Sequence, residues 1–316
     1  MKCEKINNYK LTGSIHTLQI KSMDIPDVPP QLQECISSSS TKKSNGKIEA
    51  ISIINPNKLI GDCHSFTEFE DCFSSILEEC GVSDYNLMRV DLRLDSYDSD
   101  HYRLYAKLHK YLLSCLAVTY KVRNVYKTEN LFSNQLLSMA IKSDYIQCEC
   151  YNREEKSKLT ENHEEKAKSR LEERTLSKSW RRIATKKIEN EKKSKLEDIE
   201  REFVTDWSNR WQKAIATANV EAVWSKFNCE LAKIYQEDKT AYPVKFRSLT
   251  DFLIQYQDCI FCHRQMVQLL EMIGIENPES RARNHKKRYG IEYFSKTDLK
   301  KAVAEIKRAT CEFFSE

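Results

Sequence analysis

Three carboxylates stand in three short segments of the chain in which polar and apolar residues alternate. They are Asp91, Glu149 and Glu172. Since successive residues of a β-strand point to opposite faces, each carboxylate is predicted to lie on the polar face of a strand. Carboxylates that meet on one sheet face offer the oxygen ligands that Mg²⁺ or Mn²⁺ prefers, and such a metal polarises a scissile phosphate. The pattern indicates metal-dependent phosphodiester transfer, with these three residues as the predicted metal ligands.

Phenols and an arginine share the same predicted faces. Tyr145 and Tyr151 fall on the strand face of Glu149, and Arg170 falls on that of Glu172. A tyrosine hydroxyl could attack the phosphate and form a phosphotyrosyl ester, while Arg170 or Arg89 neutralises charge on the phosphate oxygens. Both tyrosines stay candidates for the nucleophile. The alternative is an ordinary polar sheet surface with ion pairs and aromatic cross-strand pairs.

Hydrophobic periodicity predicts the elements that position these residues. Period-two alternation predicts strands at 18–21, 48–54, 88–95, 145–151 and about 169–175. Amphipathic patterns predict helices at 66–80 (with Thr67 as N-cap), 100–120, 128–142, 177–240, 249–273 and 297–313. The serine-rich run at 37–46 is predicted to be a solvated loop or hairpin end.

The predicted fold class is α+β. Residues 1–177 are expected to form a mixed catalytic domain, with a central and mainly antiparallel sheet flanked by helices. Residues 178–316 are expected to form a helical, basic DNA-binding region of winged-helix or helix-turn-helix type. Trp207, Trp211 and Trp224 recur at core-like spacings, which favours helix packing over base stacking.

Two clusters of basic residues in the second half are candidate contacts to DNA phosphates. Their members are Arg181, Arg182, Lys186 and Lys187 in the first cluster, and Arg281, Arg283, Lys286, Lys287 and Arg288 in the second. A solvated helix surface explains the first cluster equally well. The second is compact and contains no acid, which is more typical of nucleic-acid contact.

Composition limits the class of protein. The chain has 316 residues, of which 40 % are hydrophobic and 31 % charged, with a net charge of +4. No stretch approaches the ~20 apolar residues of a membrane span, and the N-terminus lacks an apolar signal core. The 12 cysteines are therefore interpreted as thiols of a reducing cytoplasm. Cys259 and Cys262 form one Cys-x-x-Cys pair, which predicts helix core rather than a zinc site with its usual four ligands.

Three segments resemble, in this order, the plasmid replication initiators of the rolling-circle "replication initiation factor" family. The segments are 86–95 (NLMRVDLRLD), 141–157 (IKSDYIQCECYNREEKS) and 168–174 (KSRLEER). The resemblance implies a protein that binds the double-strand origin of a plasmid or phage and nicks one strand with a tyrosine. It also implies covalent attachment to the 5′ end, recruitment of a host helicase and final rejoining of the displaced strand.

The leading hypothesis is therefore a plasmid or phage replication initiator that nicks and closes its origin with Mg²⁺ or Mn²⁺. The alternative is a non-catalytic DNA-binding protein of the same mobile-element origin, in which Asp91, Glu149 and Glu172 are structural charges. A third hypothesis is an RNA-binding or interaction protein. A homodimer is left open as a further partner.

Overall fold

One antiparallel sheet forms the framework of the protein. The computed structural model describes residue 6 and residues 8–42, 46–61, 65–120, 138–153, 166–186 and 193–315. The strands are β1 (Thr12–Ser22), β2 (Ile36–Lys42), β3 (Ile48–Ile54), β4 (Tyr85–Ser96), β5 (Ser138–Lys142), β6 (Ile146–Asn152) and β7 (Ser169–Thr175). Their order in the sheet is β2-β3-β1-β4-β7-β6-β5, and each neighbouring pair is antiparallel.

Helices dominate the second half, and the predicted α+β class is confirmed. The helices are α1 (Asn57–Ile60), α2 (Phe66–Glu79), α3 (Tyr102–Tyr120), α4 (Ser177–Ala184), α5 (Glu197–Glu200), α6 (Ser208–Thr217), α7 (Val220–Thr240), α8 (Leu249–Gln255), α9 (His263–Met272), α10 (Pro278–Tyr289) and α11 (Lys296–Ser315). A π-helical turn, Arg201–Trp207, joins α5 to α6, and 3-10 turns occupy Pro30–Leu32 and Gln257–Cys259.

Helix α3 is the centre of the core. Every residue from 105 to 117 is buried, because this helix packs against β5, β6 and β7 and also against α6 and α7. Most residues of this stretch are apolar, as expected for an element without a solvent face. The polar residues buried with them are Lys107, His109, Lys110 and Ser114. The sheet contributes Leu92, Leu94 and Leu171 from its apolar face, and all three are fully buried.

The buried core continues across the predicted boundary at residues 177 and 178. The predicted packing role of Trp207, Trp211 and Trp224 is confirmed, since all three side chains are buried. They belong to the same apolar cluster as Leu92 of the sheet and Tyr111 of α3. Helix α3 therefore joins the sheet to the C-terminal helices, while the assignment of separate roles to residues 1–177 and 178–316 stays a prediction.

Two predicted elements at the edges of the sheet were wrong. The serine-rich run forms most of edge strand β2, because its backbone pairs with β3 over Ile36–Lys42. The helix predicted at 128–142 is contradicted at its end, where Ser138–Lys142 is edge strand β5 paired with β6. The rest of that prediction, up to residue 137, lies outside the described residues.

Two helix boundaries also differ from the prediction. Ser65, not Thr67, caps α2, since its side chain accepts a hydrogen bond from the Glu68 amide at 3.2 Å. The helix predicted at 249–273 is interrupted between α8 and α9. Cys259 is buried as expected, whereas Cys262 is the N-cap of α9 rather than part of a continuous helix.

Helices α9 and α10 follow one another through a short connection, while a helix-turn-helix type for the C-terminal region stays a prediction. Residues 273–277 join the two helices, and Gly274 (φ 74°) and Asn277 (φ 54°) take left-handed conformations there. A short turn with a glycine is typical of this motif. The described residues 193–315 contain no strand, so they include no β-wing. Among the described helices, none has the length and apolar character of a membrane span.

Gly13 allows α11 to lie directly on β1. A Cβ atom at this position would lie 2.8 Å from the Ala309 carbonyl oxygen and 3.1 Å from the Phe313 Cβ. We expect Gly13→Ala to destabilise the fold by about 1–3 kcal/mol, because α11 must move away from the sheet. Urea denaturation measures this change, and Thr12→Ala at an exposed neighbouring position is the control. Equal stabilities of the two variants would contradict the close approach.

Candidate active site on the polar face of the sheet

The three predicted carboxylates lie on one face of three adjacent strands. In the ladder between β4 and β7, Asp91 is opposite Arg174 and Arg93 is opposite Glu172. In the ladder between β6 and β7, Glu149 is opposite Glu172. Directly paired residues project to the same side of a sheet. The register therefore brings Asp91, Glu149 and Glu172 together, although they come from distant parts of the sequence.

The guanidinium of Arg174 occupies the centre of this acidic group. Its Nε lies 2.6 Å from Glu172 Oε1 and 3.6 Å from Asp91 Oδ2. Its Nη2 lies 3.7 Å from Glu149 Oε2 and 3.4 Å from the Tyr151 hydroxyl. The sequence interpretation missed Arg174, although it continues the alternation that contains Arg170 and Glu172. We call Asp91, Glu149, Tyr151, Glu172 and Arg174 the central cluster.

A divalent ion does not fit the central cluster as it is arranged. The three carboxylates already share one guanidinium, and Asp91 also accepts a hydrogen bond from Arg89 Nε at 2.6 Å. Across the described residues, no group of three or more His, Cys, Asp or Glu side chains is placed to hold a metal ion. Binding of Mg²⁺ or Mn²⁺ stays a prediction, and it requires Arg174 to leave the centre.

Arg170 forms a buried ion pair beside the central cluster. It donates from Nε and Nη2 to the two carboxylate oxygens of Asp95, at 2.6 and 2.8 Å. This two-point contact is the strongest geometry for an arginine and a carboxylate. Arg93 Nε lies 3.5 Å from Asp95 as well. Arg170 is opposite Tyr151 in the strand register, so the predicted phosphate-neutralising residue does lie next to a predicted nucleophile.

The structure separates the two candidate tyrosines. Tyr151 is only 6 % exposed, and its hydroxyl bonds to Glu149 as well as to Arg174. Burial, together with the Glu172 and Glu149 carboxylates, raises the pKa of Tyr151 well above its usual value. This phenol therefore needs a base to become a nucleophile.

Tyr145 lies outside the central cluster. It is 46 % exposed and precedes the first residue of β6. Four residues of strand separate it from Glu149, which corresponds to roughly 13 Å. Its ring is instead covered by the guanidinium of Arg182 of α4, at 5.7 Å from the ring centroid. This arrangement is a surface cation–π contact.

Burial shifts the protonation of two further groups on this face. It raises the pKa of Asp91 to about 6, although the paired Arg89 opposes that shift. Burial and the positive charge of Arg93 lower the pKa of His16 to about 4, so this imidazole is neutral at neutral pH. His16 lies at an irregularity in the pairing of β1 with β4. The sequence interpretation did not select it, because a lone histidine has no spacing signal.

The predicted DNA contacts lie on helix surfaces. Arg181 and Arg182 of α4 and Lys186 just after it are exposed, whereas Lys187 lies outside the described residues. All five basic residues of the second cluster are exposed on α10: Arg281, Arg283, Lys286, Lys287 and Arg288. Ala282 and His285 form the buried side of the helix. The accessible side of α10 is therefore strongly positive.

A buried ionic group on the opposite face of the sheet was also missed. Arg210 of α6 pairs with Glu173 of β7 and lies 3.0 Å from Glu202 of the π-helical turn. Both carboxylates are fully buried. Cys148 of β6 donates from its thiol to Glu173 at 3.4 Å. This group links the sheet to the C-terminal helices. Arg210 and Glu173 are 37 positions apart in the sequence, and no residue spacing predicts that they pair.

Comparison with known protein families and with curated proteins finds no match to this chain. The resemblance to rolling-circle replication initiators therefore rests on the three short segments and stays a prediction.

Proposed function

We propose that the protein is a plasmid or phage replication initiator that binds origin DNA and cuts and rejoins one strand through Tyr151. The observation that supports this function is the central cluster. One phenol and three carboxylates from β4, β6 and β7 surround the guanidinium of Arg174. Each of the four groups has an oxygen within 4 Å of a guanidinium nitrogen. Phosphodiester transfer to a tyrosine needs these group types at one place.

The contacts suggest a role in the reaction for each residue. The Tyr151 hydroxyl attacks the phosphorus atom, and its proton passes to Glu149, which is already its hydrogen-bond partner. The guanidinium of Arg174 neutralises charge on the phosphate oxygens. The bond from phosphorus to the 3′ oxygen breaks, and that oxygen leaves as a hydroxyl with the proton from Glu149, which a water molecule relays. The ester to Tyr151 keeps the 5′ phosphate, so the reverse reaction rejoins the strand.

DNA binding is assigned to the exposed basic helices. The positive side of α10 would contact backbone phosphates, and Arg181 and Arg182 of α4 would form a second contact. A cytoplasmic location, a host helicase and a homodimer belong to the same proposal as predictions from sequence. The ten cysteines in the described residues are all free thiols.

A nicking assay with two tyrosine variants tests the proposal. The wild-type protein is incubated with a supercoiled plasmid that carries its own gene, in Mg²⁺, in Mn²⁺ and in EDTA. Relaxed circles and a protein–DNA adduct that survives detergent are expected. Tyr151→Phe is expected to abolish the adduct, because it removes the attacking oxygen, while the matched control Tyr145→Phe keeps it. An adduct that depends on Tyr145 and not on Tyr151 would reverse the assignment.

One observation favours the second candidate function, a DNA-binding protein without nicking activity. Arg174 fills the centre of the cluster, and Asp95 pairs with both Arg170 and Arg93, as in a polar sheet surface whose charges balance each other. A wild-type protein that binds plasmid DNA with a steep salt dependence, but produces neither a relaxed circle nor an adduct, would support this candidate.

A further inference from the structure

A small cavity lies between α8 and α10, on the side of the molecule that carries the second basic cluster. Its volume is about 140 Å³, and Leu253 and Leu270 contribute apolar walls. Arg281 and Arg288 line it as well. Since a water molecule occupies about 30 Å³ of liquid, the cavity has room for a group of roughly five heavy atoms. This size suits one phosphate group.

The polar residues of the cavity form one stripe of α10. Arg281, Asn284, His285 and Arg288 all line it, and their spacing of three, four and seven residues places them on one helix face. Arg283 and Lys287 do not line the cavity. The basic cluster is therefore divided into two arginines that line the cavity and three basic residues that do not, namely Arg283, Lys286 and Lys287.

The cavity-side arginines have no acidic partner within the part of the chain that the structure describes. Arg283, by contrast, lies 3.2 Å from Glu279 one turn away. Two unneutralised guanidinium groups beside a cavity attract an anion, and phosphate matches the fork of N–H donors that each arginine presents. Thr250 of α8 and Asn284 add neutral hydrogen-bond donors to the lining.

His285 is the second, independent sign of a ligand. The residue is only 8 % exposed, and its Nε2 is buried without a hydrogen-bond partner among the described residues. Its ring stacks obliquely on Tyr289, with the centroids 4.6 Å apart. A buried polar atom without a partner is costly, and such atoms commonly meet a ligand or a bound water. Here the unpaired imidazole lies between the two cavity-side arginines in the sequence of α10.

We propose that this cavity binds a single phosphate group between Arg281 and Arg288, with His285 below it. The group comes either from the DNA backbone or from a free nucleotide. The first source rests on the proposed DNA binding, whereas the second is independent of it. In the first case the cavity fixes the position of α10 on the duplex, because a phosphate contact sets orientation without reading sequence.

Paired variants on the same helix test the cavity. R281A/R288A removes the cavity-side charges, and R283A/K287A removes two charges outside the cavity, so the net charge is equal. All four residues are exposed, and thermal unfolding confirms that both variants fold. Inorganic phosphate and dAMP are titrated by calorimetry. A fluorescein-labelled 30-base-pair duplex is titrated by anisotropy at several salt concentrations.

We expect R281A/R288A to lose phosphate or dAMP binding, or to bind the duplex at least tenfold more weakly than R283A/K287A. Loss with the small ligands alone identifies a free nucleotide as the source, and loss with the duplex alone identifies the DNA backbone. Asn284→Asp, which places a carboxylate at the cavity, is expected to act in the same direction. Equal behaviour of the two double variants in every titration would overturn the cavity proposal. Plasmid nicking by the wild-type protein would then still support the proposed function, so a failure of the cavity proposal is distinguishable from a failure of the proposed function.

Discussion

Replacing Arg210 by methionine is expected to destabilise the folded protein by about 3–5 kcal/mol at pH 7.5. Arg210 is the shared partner of Glu173 and Glu202, and both carboxylates are buried. The Glu202 Oε2 atom already has no hydrogen-bond partner among the described residues. Without the guanidinium, two carboxylates of like charge remain inside the protein. Urea denaturation measures the change in the free energy of unfolding.

The loss of unfolding free energy caused by Arg210→Met is expected to become smaller as the pH falls from 7.5 to 5. Burial raises the pKa of Glu173 to about 7 and also raises the pKa of Glu202. An unfolded glutamate has a pKa near 4.3, so the folded state binds more protons between these values. The free energy of unfolding therefore falls as the pH rises through this window, and acid restores it. Loss of Arg210 raises both pKa values further and strengthens this dependence.

Arg264→Met is the control for Arg210→Met. Arg264 lies 2.6 Å from Glu221, but both side chains are more than half exposed. Solvent screens such a pair, and its loss is expected to cost about 1 kcal/mol or less at either pH. If Arg210→Met lowers the free energy of unfolding equally at pH 5 and pH 7.5, the buried carboxylates are not the cause of the loss of stability.

The strands of the candidate site were predictable because one side of the sheet is apolar. β7 has the predicted bounds 169–175, and β4 contains the predicted strand at 88–95. β5 was missed because Ala140 and Ile141 continue an apolar spacing that also suits a helix. What decides its conformation is pairing with β6, a tertiary contact that no local pattern contains. The polar strand β2 was missed for the same reason.

The acidic residues of the site were predictable, but the cation among them was not. Alternation places Asp91, Glu149 and Glu172 on polar faces. Only the register of β4, β7 and β6 decides that Arg174 stands opposite both Asp91 and Gln147. A shift of two residues would keep every side chain on its face and bring a different group to the centre. The distance of Tyr145 from Glu149, by contrast, follows from their spacing along one strand.

Arg174→Gln is expected to create the divalent-cation site that the wild-type arrangement does not offer. The change removes the charge that Asp91, Glu149 and Glu172 share. Because these carboxylates then repel one another, we expect a loss of about 1–3 kcal/mol at pH 7.5, less than for a fully buried pair since Arg174 is 24 % exposed. Mn²⁺ or Mg²⁺ should restore stability, by about 2.7 kcal/mol when the ion concentration is 100 times its Kd.

Thermal unfolding with and without 5 mM Mn²⁺ tests this expectation, and Arg89→Gln is the matched control. Arg89 contacts Asp91 alone in the central cluster, so its loss leaves Arg174 in place and should create no response to Mn²⁺. In the nicking assay, Arg174→Gln should lose activity in EDTA, because the charge that faces the phosphate is gone. If Mn²⁺ stabilises the wild-type protein as strongly as Arg174→Gln, the ion binds without displacing Arg174. The statement that a metal ion requires Arg174 to leave the centre of the cluster would then be wrong.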